Sequence, residues 1–189
     1  MIPRLALIVL ACTLSASAAT LDEVFPMLHP VDPAAPFAFR QWPQQRRERD
    51  NYGVTLMIWR DRATLIIDEK QPLTAQLRAL PQRLTAVKAA RRLRVMRWEL
   101  TAEQCPQIPS LFASLAELPA TPEEPPPPTE IPIHGFSPNR QEWFVRRGDS
   151  TEHFTTNAGW YQHAIVFQNV WVQLDACSKQ VKGRRVRAR

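Results

Sequence analysis

Few side chains in this 189-residue sequence could do chemistry: four histidines, three cysteines, six tryptophans and the ordinary acids. Metal binding needs imidazoles or thiolates at set intervals. His29, His134, His153 and His163 form no H-x-H, H-E-x-x-H or cysteine-bearing zinc spacing, so no metal is expected. His134 ends a strand-like run and His153 falls in a predicted hairpin. If the two met beside Asp149 or Glu152, they would supply acid/base groups for cleaving an envelope polymer. Nothing in the spacing demands that meeting. No serine sits in a G-x-S-x-G turn, and the five glycines, at 53, 135, 148, 159 and 183, are isolated. Serine-hydrolase and nucleotide chemistry are therefore not expected, and no cofactor is implied.

The cysteines have to be read with the first residues. Arg4 supplies a charge, Leu5 to Leu14 an apolar stretch, and Ser15-Ala16-Ser17-Ala18-Ala19 a small-residue cleavage site. That order predicts a signal peptide over residues 1–19, and the apolar stretch is about half the length of a membrane span. Val9-Leu10-Ala11-Cys12 has the outline of a lipoprotein signal, but its apolar run is short and Leu10 fits poorly, so anchoring at Cys12 is not expected. The expected location is periplasmic or secreted. With Cys12 removed, Cys105 and Cys177 remain as a pair, and an oxidising compartment would let them form a disulfide.

Tryptophans anchor interfaces. Trp59, Trp98 and Trp171 lie in apolar patterns and read as core, whereas Trp42 and Trp143 have polar neighbours and read as exposed. The formal charge of +6 is concentrated at one end. Lys179, Lys182, Arg184, Arg185, Arg187 and Arg189 account for six of the 24 basic residues and Arg4 for one more, leaving 17 against 18 acids. The body is thus near neutral, and no nucleic-acid partner is implied. Residues 178–189 read as a disordered basic tail whose counter-ions would be anionic lipid, lipopolysaccharide or an acidic protein.

The elements that would position these residues are legible in part. Leu21–Leu28 suggests a short helix, and Val54–Trp59 with Ala63–Ile67 a hairpin. Leu73, Leu77, Leu80, Leu84 and Val87 line one helical face, divided by Pro81. From Arg78 to Arg97 there are seven basic residues and no acid, a positive ridge that reads as a solvated helix surface. Met96, Trp98 and Leu100 alternate as in a strand, Thr101 and Gln104 match a capping box, and a helix follows over about Pro109–Leu118. Residues 119–130 form a proline-rich connector. Ile131–His134 and Glu142–Arg146 read as strands, the latter paired with Glu152–Thr156. Residues 158–177 carry both strand and helix signals; helical spacing of His163, Val166, Phe167, Val170, Trp171, Leu174 and Cys177 favours helix, with Asn157 as its cap.

The expected fold is one α+β domain over residues 20–177, an antiparallel sheet with helices on one face and one disulfide. The expected role is a non-enzymatic exported protein-binding module, of inhibitor or immunity type, whose partner is another envelope or exported protein. Its candidate binding residues are Trp42, Trp143, His134, His153, Arg184 and Arg185. The alternatives are an envelope-polymer hydrolase using His134 and His153, and a structural accessory held by its basic tail.

Overall fold

The structure, a computed structural model, describes residues 18–42, 52–119, 140–156 and 161–186. Along the chain come α1 (Leu21–Leu28), β1 (Phe37–Gln41), β2 (Val54–Ile58), β3 (Arg62–Asp68), α2 (Leu73–Arg78), α3 (Ala86–Ala90), β4 (Val95–Thr101) and α4 (Ile108–Ala116). The hairpin β5 (Gln141–Arg147) and β6 (Ser150–Thr156), the long helix α5 (Tyr161–Ser178) and a last short strand β7 (Arg184–Val186) complete it. All pairings are antiparallel and the sheet order is β6-β5-β1-β2-β3-β4-β7. The α+β class and the antiparallel sheet are as the residue patterns imply.

The helices cover both faces of the sheet, where one was expected. Strand alternation sends Val54, Leu56, Ile58 and Leu65 into one core with Ile108, Leu111 and Leu115 of α4 and Phe167, Val170 and Leu174 of α5. It sends Ala38, Met57, Ile66 and Val95 into a second core with Val24, Phe25 and Leu28 of α1, Leu73 of α2 and Ala89 and Ala90 of α3. Every residue of β2 is buried as a result. A run such as Val54–Ile58, apolar on both faces but for Thr55, belongs to a strand covered on both sides, and it was the visible sign of this arrangement.

Local chemistry explains where the elements begin and divide. Glu23 accepts from the Thr20 backbone amide at 2.8 Å and from its hydroxyl at 3.0 Å, which fastens the first turn of α1. Those bonds, the amide's first, hold the Glu23 carboxyl below its ordinary pKa. Pro81, which lacks an amide hydrogen to continue a helix, falls between α2 and α3. Thr101 and Gln104 exchange the two bonds of a capping box, but they close a turn, and α4 starts later at Ile108. On α5, His163, Phe167, Val170, Leu174 and Cys177 are buried, in the expected helical spacing. Cys105, just before α4, bonds to Cys177 near the end of α5 with their Cα atoms 5.6 Å apart.

The tail is not wholly unstructured: β7 pairs with β4, which corrects the expectation of disorder over residues 178–189 at Arg184–Val186. Without it β4 would present an open row of backbone donors and acceptors. The approach depends on Gly183, where a Cβ would lie 2.5 Å from the Trp98 ring. Residues up to Ser17, most of the connector, His134, Asn157, Trp160 and residues 187–189 lie outside the described part of the chain.

Gly53 is a second close approach. A Cβ there would meet Phe25 at 2.6 Å and the Asp68 carboxylate at 2.8 Å, both in the interior. Gly53→Ala is expected to cost about 1–3 kcal/mol through overpacking. Urea unfolding checks this, and an unchanged midpoint would mean that the α1–β3 contact is looser than described.

Candidate functional site

The tail and the helical ridge converge at one edge of the sheet. In the β4–β7 register Val95 faces Val186, Met96 faces Arg185 and Arg97 faces Arg184. Residues directly opposite each other point to the same side, so Arg184 shares the face of Arg97, toward which α2 and α3 pack. Arg91, Arg92 and Arg94 are exposed on the segment that leads from α3 into β4, and Lys88 is exposed on α3. Among the described residues Lys88, Arg91, Arg92, Arg94 and Arg184 form no ion pair.

Two carboxylates temper this charge without cancelling it. Glu99 binds Arg97 at 2.6 Å, and Glu69 binds Arg185 at 2.7 Å. Glu69 is nearly buried and its second oxygen has no hydrogen-bond partner. Like charges in direct cross-strand register disfavour the pairing that brings them together. Arg97 is already met by Glu99, so Arg184 is the cation of this facing pair that is left for a bound anion.

The other candidate residues go elsewhere. Trp42 and Trp143 are each 5% exposed, so neither offers an exposed face. Trp42 packs its ring 4.4 Å from Phe25 beneath the Arg140 guanidinium, on the side of α1. Trp143 packs against Phe39, Phe167 and His163 on the side of α5. The polar neighbours that suggested exposure are the opposite-facing and flanking residues of strands covered on both sides. His153 is exposed on β6, stacked on Phe144 at 4.5 Å, at the far edge of the sheet from Arg184 and Arg185. The five described candidates do not make a single surface, and His134 lies outside the described residues; Arg184 shares the face of Arg97, while Arg185 points to the opposite face and pairs with Glu69.

Two buried polar networks carried no local signal. His29 links the Thr55 hydroxyl at 3.1 Å to Asp68 at 3.0 Å, and the second Asp68 oxygen accepts from the Gly53 and Leu73 amides, each at 2.7 Å. The acid, imidazole and hydroxyl follow one another as in a hydrolase triad. All three side chains are closed off from solvent, so no substrate reaches them, and their work is to bind the end of α1 to β2 and β3. The second network centres on Glu142, held between Arg40 and Arg140. Both join residues far apart in the chain, His29 with Asp68 and Arg40 with Glu142, through bonds that only tertiary contacts create.

Among the described residues no group of three or more His, Cys, Asp or Glu side chains could hold a metal ion, and no helix is long and apolar enough to cross a membrane. No protein-family model, curated protein or solved structure matches the chain.

Proposed function

We propose that the chain is an exported, non-enzymatic binding module that docks an acidic protein through the basic surface formed by α3, the start of β4 and β7. The observation that carries this reading is the cross-strand register of Arg97 and Arg184, flanked by Arg91, Arg92 and Arg94. Held on a paired strand, Arg184 loses less freedom on binding than it would on a disordered tail. The Cys105–Cys177 disulfide is compatible with work outside the cytoplasm, as the expected signal peptide requires.

Charge-based docking weakens with salt, because the Debye length is about 8 Å at physiological ionic strength. The test is capture from envelope extract at low salt, comparing the native chain with R92E/R184E. An acidic protein retained by the native chain should be held about tenfold less tightly by the variant, with the gap narrowing as salt rises. Vesicles containing anionic lipid provide the comparison. Retention on vesicles without an acidic protein, or capture indifferent to the substitutions, would overturn the reading.

A further inference from the structure

We infer that Glu69 is the positioning residue of the basic surface: its carboxylate reaches over β4 to hold Arg185, and this anchors β7 so that Arg184 stands beside Arg97. The inference rests on the docking role proposed above and names the residue that prepares its surface.

β7 needs an anchor because pairing and burial give it little. It is the shortest of the described strands and pairs with β4 over three residues. The Arg184 and Arg185 side chains are both exposed, so these two residues contribute little apolar burial. Glu69, by contrast, is firmly set. Its backbone amide donates to the Arg94 carbonyl at 3.1 Å, and the Gln76 side-chain amide of α2 donates to the Glu69 and Arg94 carbonyls at 3.2 and 3.1 Å. These bonds tie the exit of β3 to the entry of β4. From there the carboxylate meets Arg185, on the far side of β4, at 2.7 Å. The Glu69 side chain is 7% exposed, so its charge is screened less than one on an open surface, while Arg185 stays 61% exposed.

Strand geometry converts this bridge into the placement of Arg184. Successive residues of a strand point to opposite faces, so fixing Arg185 on the side of Glu69 leaves Arg184 on the side of Arg97. A slip of one residue would exchange the faces. It would also bring a side chain in place of Gly183 against the Trp98 ring, where a Cβ would lie at 2.5 Å. The register is thus held at two points, and Arg184 is ordered before an anion arrives.

Hydrogen exchange and titration with poly-L-glutamate, both on Glu69→Gln, separate this role from a general charge effect. Residues 184–186 should exchange at least about tenfold faster than in the native chain, with β2 and β3 unchanged, because the loss is confined to one edge strand. Arg185, already largely in water, is not stranded by it. By charge alone, losing an acid beside cations would tighten the hold on a polyanion. The expected result is the reverse, about threefold weaker binding, and no weakening in a chain that also carries Arg184→Gln, since Glu69 acts through Arg184. Arg185→Gln removes the same bridge at an exposed position and should speed the same amides even if Glu69→Gln fails to fold. Native exchange at residues 184–186 in the folded variants, or tighter binding of poly-L-glutamate by Glu69→Gln, would overturn the inference. A native chain indifferent to poly-L-glutamate would instead sink the docking surface, and the exchange rates alone would then decide the anchor.

Discussion

Glu142→Ala should destabilise the protein by about 3–5 kcal/mol, a large share of the 5–15 kcal/mol that holds a typical domain together. Glu142 on β5 faces Arg40 on β1 in direct register and is 2% exposed. One carboxylate oxygen accepts from Arg40 Nε at 2.7 Å and Nη2 at 2.5 Å, the other from Arg140 Nη2 at 3.0 Å. The Arg40 guanidinium lies 5.1 Å from the Phe144 ring centroid, and Arg140 lies 4.1 Å from that of Trp42. Removing the carboxylate leaves Arg40, whose side chain is 12% exposed, charged and without its counter-ion between strands. The cost comes mainly from stranding that charge, since an intact buried pair adds little net stability. Denaturant unfolding measures it, and a loss below about 1 kcal/mol would mean that water reaches the pair in solution.

Opening the disulfide should have an effect of similar size. Cys105 and Cys177 are 72 residues apart in sequence, and a loop of that length restricts the unfolded chain by about 4 kcal/mol on the loop-entropy account. The native state loses a staple too, because Cys105 leads into α4 and Cys177 lies near the end of α5, whose apolar faces share one core. C105S/C177S should therefore unfold about 4 kcal/mol more easily than the oxidised protein. An unchanged midpoint would contradict both the bridge and its role in closing the α4–α5 face.

Much of the fold was legible because it is written in short-range pattern. Helical spacing located α2 and α5, and β-branched runs located the β2–β3 hairpin. What escaped depends on pairing between distant segments. The polar residues around Trp42 and Trp143 suggested exposure, but a sheet covered on both faces buries alternate residues in either direction. Arg184 and Arg185 could be singled out by charge, while their place beside Arg97 could not. That depends on an edge strand with little apolar content joining β4 from far along the chain. Arg40 and Glu142, and His29 and Asp68, are likewise ordinary residues until β1–β5 and α1–β3 contacts bring them together.

Hydrogen exchange on the oxidised protein, with and without poly-L-glutamate at low salt, most directly tests docking at the β4–β7 edge. Alone, residues 184–186 should exchange more slowly than an unstructured chain; with the acidic polypeptide, they and residues 91–97 should slow together while β6 does not change. Exchange of residues 184–186 at the unstructured rate, or slowing spread evenly over every basic segment, would contradict the account.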